Sequence, residues 1–91
     1  MRVVWTHAAV RAAWYAYDYL YDFNPQAAEH LAAALLSTAD GLAKFPRRGR
    51  KLPNTEFREV TPTHPYLLRY RLTADEVVIL RVRRLSQRHW S

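Results

Sequence analysis

Arginine is the side chain this sequence concentrates where chemistry could be done. Arg58, Arg69, Arg71, Arg81, Arg83 and Arg88 all lie in the second half, and His89-Trp90 follows the last of them. A guanidinium carries a permanent charge and a planar fork of donors that fits a carboxylate or phosphate, so such a set suits an anionic partner. The same groups could stabilise the charge that builds on a phosphate during RNA cleavage, with His89 moving a proton. Spacing decides which of them stand together. In residues 75–90 the run Val77-Val78-Ile79 and the alternation after it predict a strand with Val78, Leu80 and Val82 inward and Arg81 and Arg83 outward. Tyr66–Leu72 alternates likewise, with Tyr66, Leu68, Tyr70 and Leu72 inward, so Arg69 and Arg71 emerge on the face carrying Arg81 and Arg83. Like charges on neighbouring strands repel, so an anionic partner or interspersed carboxylates must relieve them.

Other chemistries are poorly supplied. The chain has no cysteine, which excludes disulfides, thiolate zinc sites and a cysteine nucleophile. His7, His30, His64 and His89 follow no metal-ligand spacing, so no metal is expected. Ser86 and His89 are three apart but lack a third group to orient the base. Gly41 and Gly49 are the only glycines and form no phosphate loop. No cofactor is expected.

The elements that position the arginines follow from periodicity. Residues 2–5 read as a first strand, and Thr6 supplies an N-cap hydroxyl for a helix. Along that helix Val10, Ala13, Trp14, Tyr17 and Tyr21 recur at spacings of three and four, predicting one buried stripe, with Arg11, Asp18 and Asp22 facing away. Asn24-Pro25 stops it and opens a second helix over Pro25–Lys44, with Ala28, Leu31, Leu35, Ala39 and Leu42 as its apolar stripe. Residues 46–56 read as a basic loop, residues 57–61 as a strand, and residues 61–65 as a proline-bounded turn. Thr73-Ala74-Asp75 is short enough for a hairpin. The order predicts an α/β (α+β) fold, an N-terminal strand and a helical hairpin packed on a three- to four-stranded, mainly antiparallel sheet.

Composition sets the frame. The chain's 91 residues, 49% of them hydrophobic, fit one compact domain spanning residues 1–91. No signal-peptide pattern and no run of roughly 18 apolar residues is present, so a cytoplasmic protein without a membrane partner is expected. Charge is unevenly placed: residues 1–46 carry three Lys/Arg and four Asp/Glu, whereas residues 47–91 carry eleven against four. That basic half attracts nucleic acid or an acidic protein alike.

Several stretches together resemble the RelE/ParE superfamily, the small toxins of bacterial type II toxin–antitoxin modules. They are the opening Val-x-Trp-Thr, Asn-Pro-x-Ala-Ala, Leu-Ala-Lys-Phe-Pro-Arg-Arg-Gly-Arg, Phe-Arg-Glu-Val from Phe57, Pro-Tyr-Leu-Leu-Arg-Tyr-Arg from Pro65, Asp-Glu-Val-Val-Ile-Leu-Arg-Val from Asp75, and a terminal arginine with an aromatic. The resemblance implies a helical hairpin on an antiparallel sheet and a cognate antitoxin, acidic and partly disordered, that wraps the toxin. It also implies one of two activities. One branch cleaves messenger RNA on the ribosome, a metal-independent endoribonuclease for which Arg58, Arg69, Arg81, Arg88 and His89 would serve. The other poisons DNA gyrase without being an enzyme, and Arg69, Arg71, Arg81, Arg83, Arg88 and Trp90 would bind the target. RNA-cleaving members usually show Tyr-Arg-Leu-x-Tyr where this chain has Tyr66-Leu67-Leu68-Arg69-Tyr70, which removes a phosphate-stabilising charge. That departure and the long hairpin over residues 7–44 favour the gyrase-poisoning, ParE-like branch. A plain nucleic-acid-binding module would explain the charge but not the order of motifs.

Overall fold

The computed structural model describes residues 1–85. Its elements run β1 (Arg2–Trp5), α1 (His7–Phe23), α2 (Pro25–Lys44), β2 (Arg50–Lys51), β3 (Phe57–Thr63), β4 (Tyr66–Leu72) and β5 (Glu76–Arg84). The strands form one five-stranded sheet in the order β1-β5-β4-β3-β2. β2 is a two-residue strand inside the expected loop, added to the edge by antiparallel pairing of Arg50 with Glu59 and Lys51 with Arg58. β1 returns to the far edge and pairs in parallel with β5, Arg2 opposite Glu76 through Trp5 opposite Ile79, so the sheet is mixed.

The helix boundaries follow local chemistry. Thr6 Oγ1 accepts the Ala9 amide at 3.1 Å, and Asn24 Oδ1 accepts the Ala27 amide at 3.2 Å. Each satisfies one of the otherwise unpaired first-turn donors. Pro25 sits in the first turn of α2, where its missing N–H costs nothing. The predicted stripe of α2 is buried throughout, at Ala28, Leu31, Leu35, Ala39 and Leu42.

The stripe of α1 has the predicted period but a different phase. Ala9 and Ala16 are buried and Ala12, Ala13 and Leu20 pack partly against the core, while Trp14 is 61% exposed and Val10 and Tyr21 also face outward. Small side chains let α1 lie close over the sheet, and the bulky rings have no room beneath it. They move to the flank, where Tyr17 meets Trp14 edge-on at 5.7 Å between centroids and lies 5.8 Å from Tyr21.

The core joins these helices to Tyr66, Leu68 and Tyr70 of β4 and to Val77, Ile79 and Val82 of β5. That set corrects the phase expected for β5. Tyr70 pairs with Ile79 but Arg69 pairs with Arg81, so Leu80 is an extra residue at a bulge. Before the bulge the inward residues are Val77 and Ile79, after it Val82, and Leu80 is only half-buried. Strict alternation therefore misplaces Val78 and Leu80. Val78 instead occupies the opposite face, in register with Val4 and Arg71.

Tyr70 also ties the basic loop to the sheet. Its hydroxyl donates to the Pro46 carbonyl at 2.7 Å and accepts the Gly49 amide at 2.9 Å. Burial pushes the phenol above its ordinary pKa, an effect partly opposed by the Gly49 amide and by Arg58 and Arg48. A Cβ at Gly49 would lie 2.6 Å from that hydroxyl, so only glycine allows this approach.

Candidate functional site

The face of the sheet opposite the hairpin carries a row of charged residues set by strand register. Arg50 of β2 stands beside Glu59 of β3, Glu59 beside Arg69 of β4, and Arg69 beside Arg81 of β5. Two residues along, Arg83 stands beside Leu67. The same parity puts Arg71 on this face, next to Phe57. Arg69, Arg71, Arg81 and Arg83 thus share one face, as the alternation predicts for β4 and for the outward residues of β5.

Glu59 is the residue that sequence reasoning missed. Its side chain is 6% exposed, and its Oε2 accepts both Arg69 Nε at 3.0 Å and Arg69 Nη2 at 2.8 Å. Arg83 Nη2 lies 3.8 Å from the same oxygen, and Arg50 Nη2 lies 3.6 Å from Oε1. One buried carboxylate therefore serves three arginines, and interspersed negative charge relieves the repulsion between strands. The signal was present: Glu59 has the parity of Phe57 within Phe57-Arg58-Glu59-Val60. The Arg69 guanidinium is further fixed over the Phe57 ring, 5.6 Å from its centroid.

Around this ion-pair centre the surface is concave. The hollow has a volume of about 630 Å³ and is lined by Arg48, Arg50, Glu59, Leu67, Arg69 and Arg83, with Leu52, Val60, Thr61 and Leu85 completing its wall. Arg81 is exposed and outside it. Arg58 does not join the set. It registers with Tyr70 on the covered side, and its Nη1 donates to the carbonyls of Arg47 at 3.2 Å and Gly49 at 2.9 Å. Its charge holds the loop before β2. Arg88, His89 and Trp90 lie outside the described residues. Among the described residues no group of histidines and carboxylates is placed to hold a metal ion.

A family model described as ParE toxin of type II toxin-antitoxin system, parDE, matches residues 3–89. The chain belongs to the ParE toxin family. It is 37% identical over 86 residues to Toxin RelE2 of Caulobacter vibrioides, a match covering 94% of this chain and 97% of that protein. A solved structure titled Chromosomal ParDE TA system from P. aeruginosa superimposes with a TM-score of 0.80 at 22% identity, over 93% of this chain and 96% of that one. That likeness shows the shared α+β fold. As a ParE-family protein this chain is the toxin component of a type II module, and the family implies a cognate antitoxin.

The toxin has a second concave surface, on the hairpin. A groove of about 400 Å³ runs between α1 and α2, lined mainly by Val10, Trp14, Tyr17, Leu31, Leu35 and Leu36, with Glu29 at its polar side. The Tyr17 hydroxyl donates to Glu29 Oε2 across the hairpin. This bond to a carboxylate, with lesser contributions from burial and nearby charge, pushes the Tyr17 phenol up to about 12. No described helix is long and apolar enough to cross a membrane.

Proposed function

We infer that this toxin acts as a ParE-like, non-catalytic inhibitor of DNA gyrase, held in check by an acidic antitoxin. The observation that carries the reading is the composition of the open face. Leu67 stands beside Arg83, at the position where RNA-cleaving relatives place an arginine, and Glu59 is held in ion pairs, its Oε2 accepting two Arg69 donors and its Oε1 3.6 Å from Arg50. A general base needs a free lone pair directed at the proton it removes. A face of fixed arginines around a buried, ion-paired carboxylate suits recognition of an acidic protein surface better than proton transfer. Arg69, Arg71, Arg81 and Arg83 are the target-binding set on this reading, joined by Arg88 and Trp90.

A ribonuclease reading is favoured by one observation, the name RelE2 carried by a relative 37% identical to this chain. The two are separated by a paired assay. Purified toxin should inhibit supercoiling by gyrase and leave ribosome-bound messenger RNA intact. Cleavage of message in a translation extract, abolished by His89→Gln, would replace this reading with the ribonuclease one.

A further inference from the structure

Among the described residues that line the open-face hollow, Glu59 alone is acidic, against Arg48, Arg50, Arg69 and Arg83. Four guanidinium groups so close together would by themselves make a strong site for a phosphodiester chain, since phosphate contacts by arginine dominate nucleic-acid affinity. We propose that Glu59 is a specificity-determining residue of this face, a built-in counter-anion that bars single-stranded nucleic acid from the arginines. The proposal rests on the reading of this face as the target-binding one and adds what it rejects.

Geometry supports the assignment. A phosphate that uses the Nε/Nη2 edge of Arg69 must displace Glu59 Oε2, which occupies it, and one that takes the other edge stays beside that fixed negative charge. Glu59 cannot swing clear. Its backbone is flanked in register by Arg50 of β2 and Arg69 of β4, and its side chain is 6% exposed. A phosphate oxygen reaching Arg83 or Arg50 meets the same fixed negative charge, which lies 3.8 Å from one and 3.6 Å from the other. The hollow keeps a net positive charge, so an isolated acidic side chain can still be attracted to its rim, where Arg50 is 70% exposed. A continuous chain of phosphates cannot use all the forks at once. Specificity built from a repulsive element of this kind is a general device.

The test compares full-length toxin variants for binding a short single-stranded RNA by fluorescence anisotropy over a range of salt. Glu59→Gln should bind about ten-fold tighter at low salt, with log affinity falling more steeply against log salt by about 1 to 2, since each phosphate contact on a single strand contributes roughly 0.7. Glu56→Gln makes the same change in net charge at an exposed position outside the hollow, and should stay near wild type. Equal gains by both variants would reduce the effect to net charge and overturn the proposal. No gain from a Glu59→Gln protein that keeps the wild-type circular dichroism spectrum would overturn it too. Should that variant not fold, the double variants E59Q/R69M and E56Q/R69M carry equal net charge, and only the first frees Arg50 and Arg83. The first should bind tighter, and equal affinity refutes the proposal. Failure of the gyrase assay would remove the target while leaving this comparison standing.

Discussion

Single positions on β5 show how one extra residue sets what a side chain does. Ile79 is fully buried against the helices, Leu80 occupies the bulge half-buried, and Arg81 is exposed on the open face. Ile79→Asp would bury an unpaired carboxylate at a cost of several kcal/mol and should abolish the folded state. Leu80→Asp should be tolerated far better, lowering the melting temperature without unfolding the domain. Arg81→Glu should leave the melt near wild type and remove growth inhibition. Thermal denaturation of the three variants side by side checks the order, and a Leu80→Asp protein as unstable as Ile79→Asp would place the bulge elsewhere. A reading of strict alternation puts Leu80 in the core because no residue near it announces a bulge. The run Val77-Val78-Ile79-Leu80 is apolar throughout, so its phase is undetermined until β4 supplies a register.

At the scale of elements, legibility depended on whether a local signal fixed phase as well as period. The capped starts of α1 and α2 and the stripe of α2 could be read directly, because Thr6, Asn24 and Pro25 act within one turn and leucine marks the buried side of α2. On α1 the aromatic residues carried the period, yet alanines took the core, since closeness to the sheet rewards small volume. Glu59 stayed hidden for a related reason: a carboxylate in a strand reads as solvent-facing until the arginines of three other strands surround it. The hairpin's own polar tie gives a prediction in pH. Tyr17 bonded to Glu29 titrates at about 12 rather than near its ordinary 10.0. Because the folded state raises this value, the tie contributes fully below the ordinary value and is lost as pH rises through about 12. The gap in melting temperature between wild type and Tyr17→Phe should therefore be constant up to about pH 10 and close above it. In an ultraviolet titration Glu29→Gln should return one late tyrosine toward the ordinary value. A gap unchanged at pH 12 would show that the bond does not bridge the helices in solution.

Over the whole molecule, two surfaces of different character lie on opposite sides. The hairpin groove is apolar and sits in the half of the chain with net negative charge, whereas the arginine face belongs to the strongly basic half. An apolar groove lined by Trp14, itself 61% exposed, suits a protein partner. The family implies an antitoxin, and its expected acidic tail has reason to use both surfaces, an apolar segment in the groove and carboxylates on the arginines. These contributions respond differently to salt. Exposed charges separated by more than about 10 Å are largely screened at 0.1 M ionic strength and closer ones as salt rises further, while apolar burial is little affected. Co-expressed toxin and antitoxin should copurify at low salt, and high salt should weaken the complex without dissolving it. Trp14→Ala should weaken it by a factor that hardly changes with salt. Arg81→Glu should weaken it mainly at low salt, so that the variant and wild type converge as salt rises. Separate elution of the two proteins at low salt would sink the idea outright. A Trp14→Ala complex as tight as wild type would leave the groove for some other occupant and assign antitoxin binding to the basic face alone.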